Sequence, residues 1–585
     1  MSRTYERYLH YFLDMASDQA EDWQWFESQW PQVERVWALS QRYQPEARVI
    51  VKFVLAFYPW LNQRGLWATA VAWLEVGLSV LEPQRNKLLT AVMLNHLGVA
   101  QRQLGKAAQA VTCHEQALQL RRELGDSLGE AGCLNNLGLA YATLSQFQEA
   151  VHCYQQVQQI AHQLQDVDAE VRALSNLGSV YADMGDSPTA VVIYQQALTL
   201  AQRQGDEDNQ SVILGNLAAV YGVTGQVVKA VEMHQQRLTI AQATGNRLSE
   251  AHALINLGTA YHRLDKVDAA IACYTDALHL ARTMSHREDE LTCLTNLGLA
   301  HVHLGAYKQA IRYHEQALTL AIHIGERREE GSILNKLGNA YRHLGNYERA
   351  KAFYEQSLLI ARRVHDYSGE ANALGNLGIV YHRLEQYDLA IAHYEAQVQL
   401  AQTYQDRRGE ENALGNLALV YTETGRFQEA EPLYQKRLLI AEEIGDQRGR
   451  ATTLGNLGMM YNRMGDPARA VESYQMALVI DEALADKRGM GQRWGNMGVA
   501  YAQLGEVEKA VAAYGEALQL HQEIGYVQGA ATWAWNLAEF YEAVGDYEQA
   551  VALMTITVDF EQSVGHPLAA SDAQRLADLQ RKMVL

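Results

Sequence analysis

Asparagine recurs in this chain at intervals of 40 residues. Asn136, Asn176, Asn216, Asn256, Asn296, Asn376, Asn416, Asn456, Asn496 and Asn536 hold one column, and His96 and Lys336 fill its other two places. A carboxamide donates to a carbonyl and accepts from an N–H at the same time. A ladder of them therefore suits an extended backbone, held without its side chains being read. Inside a helix Asn is about 0.6 kcal/mol worse than Ala, so ten of them need a reason. The other reason open to them is structural: each could bond a neighbouring helix and fix the stack.

Cations stand beside that ladder. Six and seven residues after the Asn column come His262-Arg263, Val302-His303, Arg342-His343, His382-Arg383 and Asn462-Arg463. Residues 291–370 carry ten Lys+Arg against eight Asp+Glu, in a chain whose net charge is −19. A cationic band inside an acidic protein suits an acidic or carboxylate-bearing ligand. The same residues would also suit a solvated helix end, where cations offset the dipole. Arg342 and Arg383 are expected to face solvent. Leu139, Leu299, Ile379, Leu419 and Met459 add apolar positions that could receive peptide side chains or shield neighbouring helices. The expected ligand contacts are Asn256, Asn296, Lys336, Asn376, Asn416, Asn456, Arg263, His303, Arg342, His343, His382, Arg383 and Arg463. One column before the ladder, Gly215, Gly375, Gly415, Gly455 and Gly495 allow close approach either of a ligand backbone or of an adjacent helix.

Signatures of catalysis are missing. There is no H-E-x-x-H, no G-x-G-x-x-G and no G-x-x-x-x-G-K-[ST]. Gly125 to Gly129 fits G-x-S-x-G, but Ser127 falls between helical segments, without the strand a nucleophile elbow requires. Cys113, Cys133, Cys153, Cys273 and Cys293 show no C-x-x-C spacing and read as buried thiols. No catalytic residue, metal or cofactor is expected.

The elements that must position these columns come from the repeat itself. From residue 51 to 570 the chain divides every 40 residues without insertion. Counting each unit from 1, column 20 is Ala in all thirteen, from Ala70 through Ala390 to Ala550. In the twelve units from residue 91, column 7 is Leu except Met497, column 8 is Gly or Ala, and column 24 is Tyr or His except Met554. Columns 4, 7, 8, 11 and 14 share one helical face, and columns 20, 24, 27, 28 and 31 another. Gly at column 15 separates the two helices, and a turn at columns 35–36 precedes the next unit. Columns 2, 5, 6, 9, 12 and 13, which hold the ladder and the band, lie opposite the core of the first helix (helix A).

This small/large pattern, seen in Leu374, Leu377, Gly378, Tyr381, Ala390, Tyr394 and Val398, resembles the tetratricopeptide repeat family. It departs from the family pattern in lacking the proline that usually ends helix B and in its 40-residue unit, the latter similar to the kinesin light chain and spindle-orientation adaptor branches. The resemblance implies an all-α, right-handed α-solenoid of about thirteen tandem helix-turn-helix repeats with helical caps. It also implies that the free face of helix A lines a peptide-binding surface. Residues 1–50 are expected to form an N-terminal helical cap and 51–90 a degenerate unit carrying Pro59, which should kink its helix. Residues 91–570 give twelve regular units and 571–585 a closing helix. Residues 1–90 hold seven of the ten tryptophans, an arrangement that also resembles the sensor arm of bacterial signal-transduction ATPases.

Acidic composition argues against nucleic acid or anionic membrane as partner. No apolar run reaches transmembrane length and no signal-peptide pattern opens the chain, so a cytoplasmic location is expected. The leading reading is a non-enzymatic scaffold whose groove binds an extended, acidic protein or peptide segment. The second is the sensor arm of a split signalling or defence system. Oligomeric state is not legible in the sequence.

Overall fold

The computed structural model describes residues 2–18, 23–43, 46–83 and 85–584. Residues 1, 19–22, 44–45, 84 and 585, which fall within the expected caps and first unit, lie outside the described residues. The described residues form 29 helices and no strand. None of these helices is long and apolar enough to cross a membrane.

The columns explain the hairpins. Tyr367–Arg383 and Tyr387–Thr403 form one of them. The buried Leu377 and Tyr381 of helix A meet the buried Ala390 and Tyr394 of helix B. The fit requires a small column 8: a β-carbon on Gly338 would stand 2.5 Å from Cε1 of Tyr354. From residue 91 on, columns 15 and 35 are left-handed throughout, from Gly105 (φ 76°) to Gly565 (φ 64°), as is Gly65 (φ 69°). Each such residue caps the carbonyls of the helix it ends. Eight of these positions are not glycine, Ser145 (φ 58°) and Asp265 (φ 60°) among them. At column 36 an Asp begins the next helix A. The Asp126 carboxylate accepts from the Gly129 N–H at 2.9 Å, and Asp406 accepts from Gly409 at 2.9 Å.

The chain divides into two compact units, Met1–Asn296 and Leu297–Leu585. The first begins with helices Ser2–Asp18, Trp23–Tyr43 and Ala47–Gln63, the last with Pro59 inside it. Several of their aromatic side chains pack against one another, while Tyr8 and Tyr11 are exposed. The rings of Trp30 and Trp60 lie 4.5 Å apart, as do those of Trp37 and Trp73. The second unit ends with helix Ala569–Val584, whose buried Leu576 and Leu579 close over Met554 and Val558.

Candidate ligand-binding face

Helix A is buried on two sides. In Arg407–Glu423, Leu414, Leu417, Ala418 and Tyr421 are buried, and so are Ala413 and Val420 at columns 3 and 10. Those two columns add a second apolar face that the expected core pattern lacks. What remains accessible is a strip of columns 2, 6, 9 and 13: Asn412 and Glu423 are exposed, Asn416 and Leu419 half-buried. Within the second unit, helix Tyr367–Arg383 touches Arg407–Glu423, which in turn touches Gln447–Met464. Successive B helices make no comparable contact among the described residues. The A helices thus line the tighter side of the stack, and the strip runs along it.

Seven members of the Asn column fall into two groups. Asn136 donates to Asn95 Oδ1 at 3.1 Å, Asn176 to Asn135 Oδ1 at 2.9 Å, and Asn376 to Asn335 Oδ1 at 2.8 Å. In each case the acceptor is a column 5 asparagine of the preceding helix A, so these three are struts between hairpins. Asn256, Asn296, Asn416 and Asn456 have no asparagine opposite them and make no side-chain hydrogen bond among the described residues. Asn256 is exposed and the other three are half-buried.

Column 5 glycines make room for neighbouring side chains. A β-carbon on Gly415 would lie 2.7 Å from Arg437 Cζ, and one on Gly375 would lie 2.9 Å from Gln397 Nε2. Gly455 and Gly495 are filled from the next helix A, by Arg493 and Trp533. Of the two explanations left open by the sequence, packing is the one these positions display. Gly375 and Gly415 at column 5, and Gly222 and Thr422 at column 12, are buried, where a lining position should be open.

Much of the cationic band is committed inside the chain. Arg263 donates to the Gly222 carbonyl at 2.8 Å, on the last turn of the preceding helix A. Such a contact offsets a helix C-terminus. His303 is also engaged within the chain. His343 stacks on Tyr307 with ring centroids 5.1 Å apart. Burial and the neighbouring Arg342 push its imidazole below the usual range. Arg342 departs from the expected solvent-facing place: it is half-buried, and its Nε is enclosed without a partner. His382 Nε2 lies 2.6 Å from Glu423 Oε2, which cancels its contribution to a positive field. Lys336 donates to Ser332 Oγ, and burial lowers the pKa of its ammonium. Arg383 and Arg463 are exposed and form no ion pair among the described residues.

Arg383, Asn416, Asn456 and Arg463 stand on three successive A helices of the second unit, and Leu419 and Met459 lie on the same two helices as the asparagines. Asn256 and Arg263 share one helix of the first unit.

Buried charge is what sequence reasoning missed. Arg437 Nε lies 3.1 Å from Glu411 Oε1, and Arg493 Nε lies 3.2 Å from Asp481 Oδ2. All four residues are buried or nearly so, and both arginines fill glycine-made space. A signal existed: an Arg at column 27 or column 3 coincides with Gly at column 5 of the same or the preceding unit. The five cysteines are free and buried. Burial raises Cys133, Cys153 and Cys273 to about 11 and Cys293 to about 12, which keeps them as thiols.

Tandem antiparallel helical hairpins, each presenting one helix to an accessible strip, define an α-solenoid repeat protein. The chain belongs to the tetratricopeptide repeat family, whose pattern matches residues 89–163, 170–243, 210–283, 249–322, 329–403, 409–483 and 492–583. No curated protein matches it. Among solved structures, BtubC from P. vanneervenii is similar at 23% identity and a TM-score of 0.35, covering 38% of this chain and 92% of that one. The apo form of the quorum sensor NprR from B. thuringiensis is similar at 14% identity and a TM-score of 0.41, covering 61% and 98%. A signal transduction ATPase with numerous domains and a tetratricopeptide repeat sensor, from Pyrococcus horikoshii, is similar at 13% identity and a TM-score of 0.45, covering 71% and 66%. At these scores the likenesses bear on neither ligand nor partner.

Proposed function

We propose that this chain is a non-enzymatic binding scaffold whose A-helix strip, in residues 367–464, holds an extended, acidic peptide segment. One observation carries the reading. Asn416 and Asn456 stand on neighbouring A helices with unbonded carboxamides, and Arg383 and Arg463, exposed and free of ion pairs, belong to the same run of three A helices. Packed helices lie about 10 Å apart, which three extended residues span at about 3.3 Å each. Successive asparagines could thus meet every third backbone amide, donating to a carbonyl and accepting from an N–H. The arginines favour carboxylates along the same path, and Leu419 and Met459 offer apolar contact between the polar groups. The five unpaired buried thiols support a reducing, cytoplasmic setting.

Fluorescence anisotropy with labelled twelve-residue extended peptides tests the reading. Asp/Glu-rich peptides are expected to bind at least about tenfold more tightly than Lys/Arg-rich ones of the same length. Combined Asn416→Ala and Asn456→Ala should weaken every binder. Equal binding of both peptide classes, or preference for the basic one, would overturn it.

A further inference from the structure

A cleft edged by carboxylates lies at the C-terminal end of the second unit. Helices Val527–Ala543 and Tyr547–Val564, together with the start of Ala569–Val584, enclose a cleft of about 560 Å³. Trp535, Phe560 and Leu568 supply apolar wall, Thr532 and Asn536 polar edge, and Glu561 and Asp572 carboxylates. This size is ordinary for a small-ligand or side-chain pocket.

Glu561 is the anomaly. It is 7% exposed, and its Oε2 is buried without a hydrogen-bond partner. Its other oxygen faces His566 Nδ1 at 3.3 Å. The Leu568 N–H also points at that nitrogen, at 3.3 Å. Asp572 adds a like charge, and burial together with that neighbour pushes the Glu561 carboxyl above its ordinary range. Arg575, on the closing helix, is held by Glu539 at 3.0 Å and Glu542 at 3.1 Å and stands over the Trp535 ring at 5.1 Å.

The repeat shows what is missing. Glu561 occupies column 31, where Asp481 stands two units earlier. Asp481 is also buried, and Arg493 of the following helix neutralises it at 3.2 Å. The position corresponding to Arg493 in the closing helix is Ala573. Where one buried carboxylate has an arginine, the other has a side chain that ends at Cβ, beside an open cleft. An unpaired buried charge is costly, and an aromatic wall favours a cation.

We propose that this cleft binds an alkylguanidinium or alkylammonium group, which takes the place of the absent arginine against Glu561 and Asp572 and lays its apolar stem along Trp535 and Phe560. The group could be borne by a small amine or by an arginine or lysine side chain of a partner. Isothermal titration of the full chain separates these sources, using n-butylguanidinium, n-butylammonium, neutral n-butylurea and a blocked tripeptide with a central arginine. At least one cation is expected to bind tenfold or more tighter than n-butylurea. Binding by the tripeptide alone assigns the source to a protein, and binding by the free cations to a small amine. Glu561→Gln should reduce that binding at least tenfold. Ala573→Arg, which restores the internal counter-ion, should block it and raise the melting temperature of the C-terminal helices. Cations that bind no better than n-butylurea, or binding that survives both substitutions in folded protein, would overturn the proposal.

Discussion

Arg437 donates to Glu411 across 3.1 Å within a core that leaves the two residues 8% and 1% exposed. The pair joins helix B of one hairpin to its own helix A, four residues before Gly415 and five before Asn416. Removing one partner from a buried pair strands the other charge, at about 3–5 kcal/mol. Arg437→Met should therefore destabilise this hairpin by that amount. The double change of Arg437→Met with Glu411→Ala should recover much of the loss. Hydrogen exchange of residues 407–443 measures both; equal destabilisation by the single and double variants would remove the pair as the cause.

Ala390 is fully buried between two helices. Ala390→Leu overfills that contact and should cost about 1–3 kcal/mol. Because stability in a repeat array is close to a sum over neighbouring units, the loosening should centre on residues 367–403 and fade within a hairpin or two. Exchange that rises uniformly through the whole second unit would contradict this.

His314 replaces the core tyrosine of column 24 and is completely buried, with neither ring nitrogen bonded. Burial, helped by Lys336, holds its imidazole down to about 4. The unfolded chain, with an ordinary value near 6.5, binds a proton more readily. Stability is therefore full above about pH 6.5 and falls as pH drops toward 4, with a limit of about 3 kcal/mol for this group. His114 and His234, also held at about 4 by burial, add the same sign in the first unit. His314→Phe should flatten the fall in protection of helix Tyr307–Ile324 between pH 7 and pH 5. An unchanged pH dependence of that helix would assign the effect elsewhere.

The cysteines provide a simpler check. All five are buried thiols, so a thiol reagent should label none of them rapidly in native protein and all five after unfolding. Rapid native labelling of Cys153 or Cys273 would contradict the packing of helix B.

The fold was legible because its contacts repeat at fixed columns. Ala390 and Tyr394 state their own packing, since Gly378 recurs with them in unit after unit. The inward-turned cap aromatics, Trp30 and Trp37, were not legible, because they lie outside the period. The candidate site was legible only in part. Asn376 and Asn416 look alike in a column, yet one is a strut to Asn335 and the other is unbonded. The difference lies in column 5 of the preceding unit, where Asn335 gives way to Gly375. In the same way Arg342, His382 and Arg383 form one run of cations in sequence. Only the position of Glu423 on the next helix shows that His382 is already paired, and only the packing shows that Arg342 is enclosed. Such distinctions arise between units, and a column read by itself does not contain them.

The central claim is that Arg383 and Arg463 select an acidic segment lying over Asn416 and Asn456. The most direct measurement is the affinity of one Asp/Glu-rich extended peptide for wild type and for the Arg383→Glu, Arg463→Glu variant, across a salt series. Both arginines are exposed and unpaired, so the melting temperature should barely move. Wild-type affinity should weaken as the Debye length contracts to about 10 Å near 0.1 M salt. The variant should bind at least about tenfold more weakly at low salt and lose most of the salt dependence. A folded variant that binds the acidic peptide with unchanged affinity and unchanged salt dependence would contradict the account.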